Sequence, residues 1–215
     1  MFLKDTFIIN SNKENDLPII GDLNYRQDST NLVVFCHGFK GFKDWGCWNL
    51  VANLFVENGF KFLKFNFSQN GGTLDNPFDF PDLQSFSLNT YSQEVKDVQR
   101  VIDYVSLNKY NSKFEKIYII GHSRGGGIAC LSTVNNPLIN KLVSWAGVSD
   151  FKERFPKANE LKQWKDNGIR YIFNSRTNQE MPISIKFYND FIENESKLTI
   201  KTALLNFSGK FLACY

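Results

Sequence analysis

The sequence predicts an α/β protein built on a doubly wound, mostly parallel sheet, with a small insertion over one edge of it. Three observations carry that prediction. Apolar runs of strand type recur at residues 31–36, 60–67, 117–120 and 140–145. Segments of helical period lie between them, the clearest placing Tyr91, Val95, Val98, Val101, Ile102 and Val105 on one face. Two of the strands also stop at glycine-bearing turns, His37-Gly38 and Gly121. Strands alternating with helices close into a parallel sheet through right-handed crossovers, and such sheets bind ligands beyond the carboxyl ends of their strands.

Taken in order, residues 6–9 and 18–25 read as two strands joined by a polar turn region at 10–16. Residues 31–36 (Asn-Leu-Val-Val-Phe-Cys) form a buried strand that ends at His37-Gly38. A helix over 48–58 puts Trp48, Val51 and Phe55 on one face and closes on Asn58-Gly59. Trp48 is expected to pack, while Trp45 could pack or line a pocket. The strand at 60–67 leads into a loop rich in Gly, Asn and Pro at 68–85, whose Asp75, Asp79 and Asp82 read as solvated carboxylates rather than metal ligands. Thr90 and Gln93 stand as a capping box at the start of the next helix. From Ser149 the rhythm changes. Residues 150–167 are charged and helical, 170–186 form a hairpin about Thr177-Asn178, and 187–194 form a short helix. The expected organisation is a single domain over 1–215 with 150–195 as a cap insertion, and 209–215 as one more buried strand.

The 215 residues suffice for a sizeable core, and 42% hydrophobic with 22% charged residues is an ordinary globular balance. A net charge of +3 without a dense basic run argues against nucleic acid as a partner. Aromatic content reaches 15%, with 21 Phe, which suits a core and an apolar substrate pocket. Cys36, Cys47, Cys130 and Cys214 show no Cys-x-x-Cys spacing; Cys36, Cys130 and Cys214 lie in apolar runs and read as buried free thiols. Met1-Phe2-Leu3-Lys4-Asp5 lacks the apolar run of a signal peptide, and no stretch approaches the roughly 20 apolar residues of a membrane span. The expectation is a cytoplasmic protein.

The chemistry concentrates in Lys116-Ile117-Tyr118-Ile119-Ile120-Gly121-His122-Ser123-Arg124-Gly125-Gly126-Gly127. This is Gly-x-Ser-x-Gly between a strand and a helix, where Gly121 and Gly125 leave room for a sharp turn that lifts the Ser123 hydroxyl clear of the sheet. A serine needs a base within hydrogen-bond reach, and the oxyanion it generates on a carbonyl needs donors. The backbone N–H groups of Arg124 and of Phe39, in the His37-Gly38-Phe39 turn, are the candidate donors.

With both turns present in this order, the chain resembles the α/β-hydrolase superfamily over nearly its whole length, and most closely its single-domain serine esterases and acyl-peptide hydrolases. The resemblance makes His37-Gly38-Phe39 the oxyanion turn and Gly121-His122-Ser123-Arg124-Gly125 the nucleophile elbow. It implies hydrolysis of an ester, thioester or amide of a small-molecule acyl substrate through an acyl-enzyme, with no metal and no cofactor.

One departure accompanies the match. The family's acid and histidine follow the serine in the chain, whereas the only histidines here are His37 and His122. Asp150 is the residue in place to serve as acid, with helix N-cap as its other use. The acid loop, a final strand, the histidine loop and a last helix are expected to be absent, so that the chain is a truncated and impaired hydrolase. The alternative is a non-catalytic ligand- or partner-binding remnant. The strand at 209–215 would then be an exposed edge, open to self-association or to a completing C-terminal chain.

Overall fold

Two antiparallel strands begin the architecture, β1 (Leu3–Ile9) and β2 (Ile19–Tyr25), with Leu3 opposite Tyr25 and Ile9 opposite Ile19. The structure, a computed structural model, describes residues 2–10, 16–107, 114–134 and 136–215; most of the expected 10–16 turn lies outside them. There follow β3 (Asn31–Cys36), α1 (Trp48–Glu57), β4 (Phe60–Phe65), α2 (Leu83–Leu88), α3 (Tyr91–Ser106), β5 (Lys116–His122), α4 (Arg124–Leu131) and β6 (Ile139–Trp145). A 3-10 turn (Lys152–Arg154), α5 (Ala158–Asn167), β7 (Ile169–Asn174), β8 (Gln179–Ser184), α6 (Lys186–Glu193), α7 (Ile200–Asn206) and β9 (Lys210–Cys214) complete the chain.

Seven strands form the main sheet in the order β1-β2-β4-β3-β5-β6-β9. The pairings from β4 through β3, β5 and β6 to β9 are parallel, and β1 and β2 add antiparallel strands at one side. The strands β7 and β8 pair only with each other, with Asn178 in left-handed backbone (φ 54°) at their turn.

Burial is lopsided. One face of the sheet carries the large core, to which α3, α4 and α7 contribute Val98, Val101, Ile128 and Ile200. On the other, α1 packs Trp48, Ala52 and Val56 on Val33, Phe35, Phe62 and Ile120. The buried stripe of α1 is therefore Trp48–Ala52–Val56, with Val51 and Phe55 on its flank. Gly59, at φ 83°, follows the helix as expected.

Several expectations need correction. The 209–215 strand is present as β9 but is not buried, with Phe211 44% and Leu212 57% exposed. Among the described residues it is an edge strand, paired on one side only, with β6. Cys214 is accordingly only half-buried, whereas Cys36 and Cys130 are buried and all four thiols are free. The 68–85 loop runs into the short α2, opened by Asp82, whose carboxylate accepts the Ser85 N–H. Thr90 caps α3 through the Gln93 N–H, but the Gln93 amide turns to Ser68 and Asp97 instead of closing a capping box.

Candidate active site

Ser123 sits between β5 and α4 with φ 55° and ψ −120°, a conformation that a residue with a side chain adopts only under constraint. The constraint is visible atom by atom. A Cβ on Gly121 would lie 2.0 Å from the Gly125 carbonyl oxygen, and one on Gly125 would lie 2.3 Å from that of Cys36 and 2.4 Å from that of His37. Only glycine lets α4 come so close to the ends of β5 and β3. The Ser123 N–H donates to Trp145 O (3.0 Å), and Ser123 O accepts from Gly126 and Val148.

The His37-Gly38-Phe39 turn lies directly against this elbow, since a Cβ on Gly38 would meet the Ser123 Cβ at 3.1 Å. Lys40 follows in left-handed backbone (φ 53°). The turn is held from several sides. Asn70 donates to Gly41 O, the Lys43 N–H donates to Asn66 Oδ1, and Arg176 from the β7–β8 turn donates to Lys40 O. Beneath it lies a buried ring of charges. Lys43 Nζ reaches Asp22 (2.6 Å) and Asp44 (2.5 Å), and Lys64 Nζ reaches Asp22 (3.0 Å) and Asp44. Burial alone would raise the Asp22 carboxyl, but the Lys43 hydrogen bond and the Lys64 and Lys43 charges outweigh it and bring it down to about 2.

Neither histidine reaches Ser123 as a base. His37 is buried, its Nε2 accepting the Phe67 N–H (3.3 Å) and its Nδ1 lying 2.9 Å from Gly38 O, a pairing that requires the neutral ring with hydrogen on Nδ1. Burial lowers its pKa to about 4. His122 is half-buried between Trp48 (5.0 Å) and Trp145 (6.3 Å), and burial lowers its pKa as well. Asp150 accepts the Lys152 N–H (2.7 Å) just ahead of the 3-10 turn, whose N-cap is Phe151 and not Asp150. Among the described residues, none hydrogen-bonds the Ser123 hydroxyl, and no cluster of His, Cys, Asp and Glu could hold a metal ion.

A cavity of about 310 Å³ opens at Ser123, near the lower end of the usual range for ligand pockets. Phe39 and Tyr91 line it from the sheet side, while Phe155, Trp164, Ile183 and Phe187 come from the segment between β6 and α7. Tyr91 stacks on Phe151 at 3.8 Å, and Trp164 donates its indole N–H to Ile183 O. Trp48 is packed and Trp45 is 37% exposed, and neither lines the cavity. Asp79 pairs with Arg176 and Asp82 caps α2, so neither is a free loop carboxylate.

Sequence reasoning missed Glu94, which is buried on α3, pairs with Arg124 (3.4 Å) and accepts from Asn89. Burial raises its pKa, opposed by Arg124 and Asn89. A carboxylate inside the apolar stripe Tyr91–Val98–Val101 was the available signal, as was Lys64 inside Phe-Lys-Phe-Leu-Lys-Phe for the charge ring.

These features place the chain in the class of open-sheet α/β proteins that carry a serine on a strained strand-to-helix turn. The family model described as the alpha/beta hydrolase fold matches residues 31–214. The chain belongs to that family. It is similar to the putative esterase/lipase 2 of Mycoplasma genitalium, at 26% identity over 167 residues, covering 78% of this chain and 50% of that protein. The chain thus spans half the length of that curated relative. Among solved structures it is similar in fold to Est1E from Butyrivibrio proteoclasticus (TM-score 0.68, 14% identity, 97% of this chain and 76% of that one). It is equally similar in fold to a putative hydrolase from Agrobacterium vitis S4 (TM-score 0.69, 13% identity, 100% and 90%). No helix among the described residues is long and apolar enough to cross a membrane.

Proposed function

We propose that the chain is an esterase-type serine hydrolase that cleaves a small carboxylic ester through an acyl-enzyme on Ser123, with thioesters and amides open to the same chemistry. The observation that carries this is the strained backbone of Ser123, locked by glycines that admit no Cβ and opening on an aromatic-walled cavity. Strain of about 1–3 kcal/mol persists only where surroundings impose it, and it concentrates at sites where a side chain must be aimed. In this reading the N–H groups of Phe39 and Arg124 form the oxyanion hole, and the contact between Gly38 and Ser123 supports their convergence. Residues 150–195 act as the cap that encloses the acyl group. The four free thiols fit a reducing, cytoplasmic setting.

Among the described residues no group is placed to take the proton from Ser123. Loss of the histidine costs a serine hydrolase on the order of a million-fold in turnover, and the oxyanion hole and binding still leave roughly a thousand-fold over water. The reading is therefore of an impaired hydrolase. The same lack favours a second reading, a remnant that binds a ligand or partner without catalysis. The exposed edge of β9 is where a completing C-terminal chain would pair and bring an acid and a histidine; self-association would use the same edge.

A fluorophosphonate probe tests the proposal. Slow labelling that disappears in Ser123→Ala is expected. Rapid labelling would show that a base exists and that the chain is not impaired, and a folded protein that never labels would favour the second reading. Sedimentation of the chain alone tests the edge: a dimer supports self-association, a monomer the completing chain.

A further inference from the structure

We propose that the Ser123 cavity selects a substrate carrying an oxyanion, such as a carboxylate, on an aromatic or short apolar body, with Arg154 and Arg170 as the groups that hold the charge. This rests on the cavity being the ligand site of the proposed hydrolase, and it adds the substrate's charge.

Three arginines line the cavity and no carboxylate does. Arg124 is accounted for. Its guanidinium pairs with Glu94 and lies over the rings of Phe39 (4.0 Å), Phe187 (5.1 Å) and Tyr91 (5.3 Å), forming part of the wall. The other two are not. Neither Arg154 nor Arg170 makes a side-chain hydrogen bond or ion pair among the described residues. Arg170 lies over the Trp164 ring, its guanidinium carbon 5.2 Å from the centroid, a cation–π contact that uses none of its N–H donors on another side chain.

Of the carboxylates beside them, Glu160 shares a surface cleft with Arg170 without forming an ion pair, and three others are engaged elsewhere. Glu153 pairs with Lys157, Asp150 accepts the Lys152 N–H, and Asp190 accepts the Ser92 N–H. Two arginines without an ion-pair partner thus line one small, aromatic-walled space. An uncharged ester leaves both to water; an anionic one gains charge-assisted, bidentate contacts in a site shielded by rings. Arg170 and Arg154 come from β7 and from the 3-10 turn after β6, so the selectivity belongs to the same segment that encloses the cavity.

The test uses the full chain as Ser123→Ala, so that binding is read without turnover. Calorimetry compares three methyl esters on one ring: the monomethyl ester of benzene-1,4-dicarboxylic acid, the neutral dimethyl ester, and methyl 4-(aminomethyl)benzoate. The monoanion is expected to bind about tenfold or more tightly than the diester, the scale of one charge-assisted contact, and the cation most weakly. The advantage should collapse at high salt and in Arg154→Gln/Arg170→Gln. Should that pair unfold by circular dichroism, the single exposed change Arg154→Gln is expected to remove part of it. Equal affinities, a preference that survives the substitutions, or no binding of any ester would overturn the proposal. Turnover of the diester by the unsubstituted chain is followed separately. Preference with neither turnover nor fluorophosphonate labelling of Ser123 would sink the hydrolase and leave this inference standing, and turnover or labelling without preference would do the reverse.

Discussion

Replacing Gly125 by alanine tests the elbow most directly. The new Cβ would stand 2.3 Å from Cys36 O and 2.4 Å from His37 O, about 1 Å inside contact with two backbone atoms that cannot rotate away. The first turn of α4 must therefore retreat from the end of β3. Overpacking a well-filled site costs about 1–3 kcal/mol, and the rigidity of both obstacles puts this case at the upper end. For a domain of this size about 3 kcal/mol lowers Tm by roughly 6–12 °C. In the proposed hydrolase a 1 Å displacement of Ser123 also costs on the order of a hundred-fold in rate. Thermal unfolding by circular dichroism and fluorophosphonate labelling kinetics read the two effects separately. A variant melting within about 2 °C of the parent (under 1 kcal/mol by the same scale,), and labelling equally fast, would refute the steric account of the elbow.

The charge ring and His37 yield further predictions. Asp22→Asn leaves Lys64, which is 0% exposed, and Lys43 short of a partner, and should cost about 3–5 kcal/mol in urea titration. Because the folded pKa of Asp22 is depressed to about 2, its contribution is complete above the unfolded value near 4 and is lost as pH falls from 4 towards 2; the variant should lack that slope. His37→Ala removes the acceptor of the Phe67 N–H and leaves a void, at about 2–4 kcal/mol. With its folded pKa down at about 4, parent and variant should differ most above pH 6.5 and converge as pH falls to 4, seen in urea midpoints. Excess free imidazole should accelerate labelling of Ser123, since no described residue hydrogen-bonds its hydroxyl; an unchanged rate would count against the proposed deficiency.

The sheet was legible because its signals are local. Each parallel strand is a short apolar run, and Gly121 and Gly125 announce the elbow within five residues. The Tyr91–Val105 stripe gave α3 nearly to its ends. Short elements were harder to read: α2 and α7, of 6 and 7 residues, offer barely two turns of pattern. Contacts distant in sequence were out of reach. Nothing near Arg124 names Glu94 as its partner, and nothing near Arg154 or Arg170 tells that they meet at the same cavity. The apolar spelling of β9 suggested burial, but burial depends on what lies beside a strand, and only the three-dimensional order shows that its outer side is open.

That open side is mechanically joined to the serine. The N–H of Ala146, itself in left-handed backbone, donates to Cys214 O at 2.7 Å, and the carbonyl of Trp145 next to it receives the N–H of Ser123. The outermost strand thus tethers the bend on which Ser123 is seated. Opening free energies are lowest where few apolar neighbours hold a segment, so an opening of β9 would reach the Ser123 backbone through two hydrogen bonds. Whatever docks along that border would still the hinge as well as hide it.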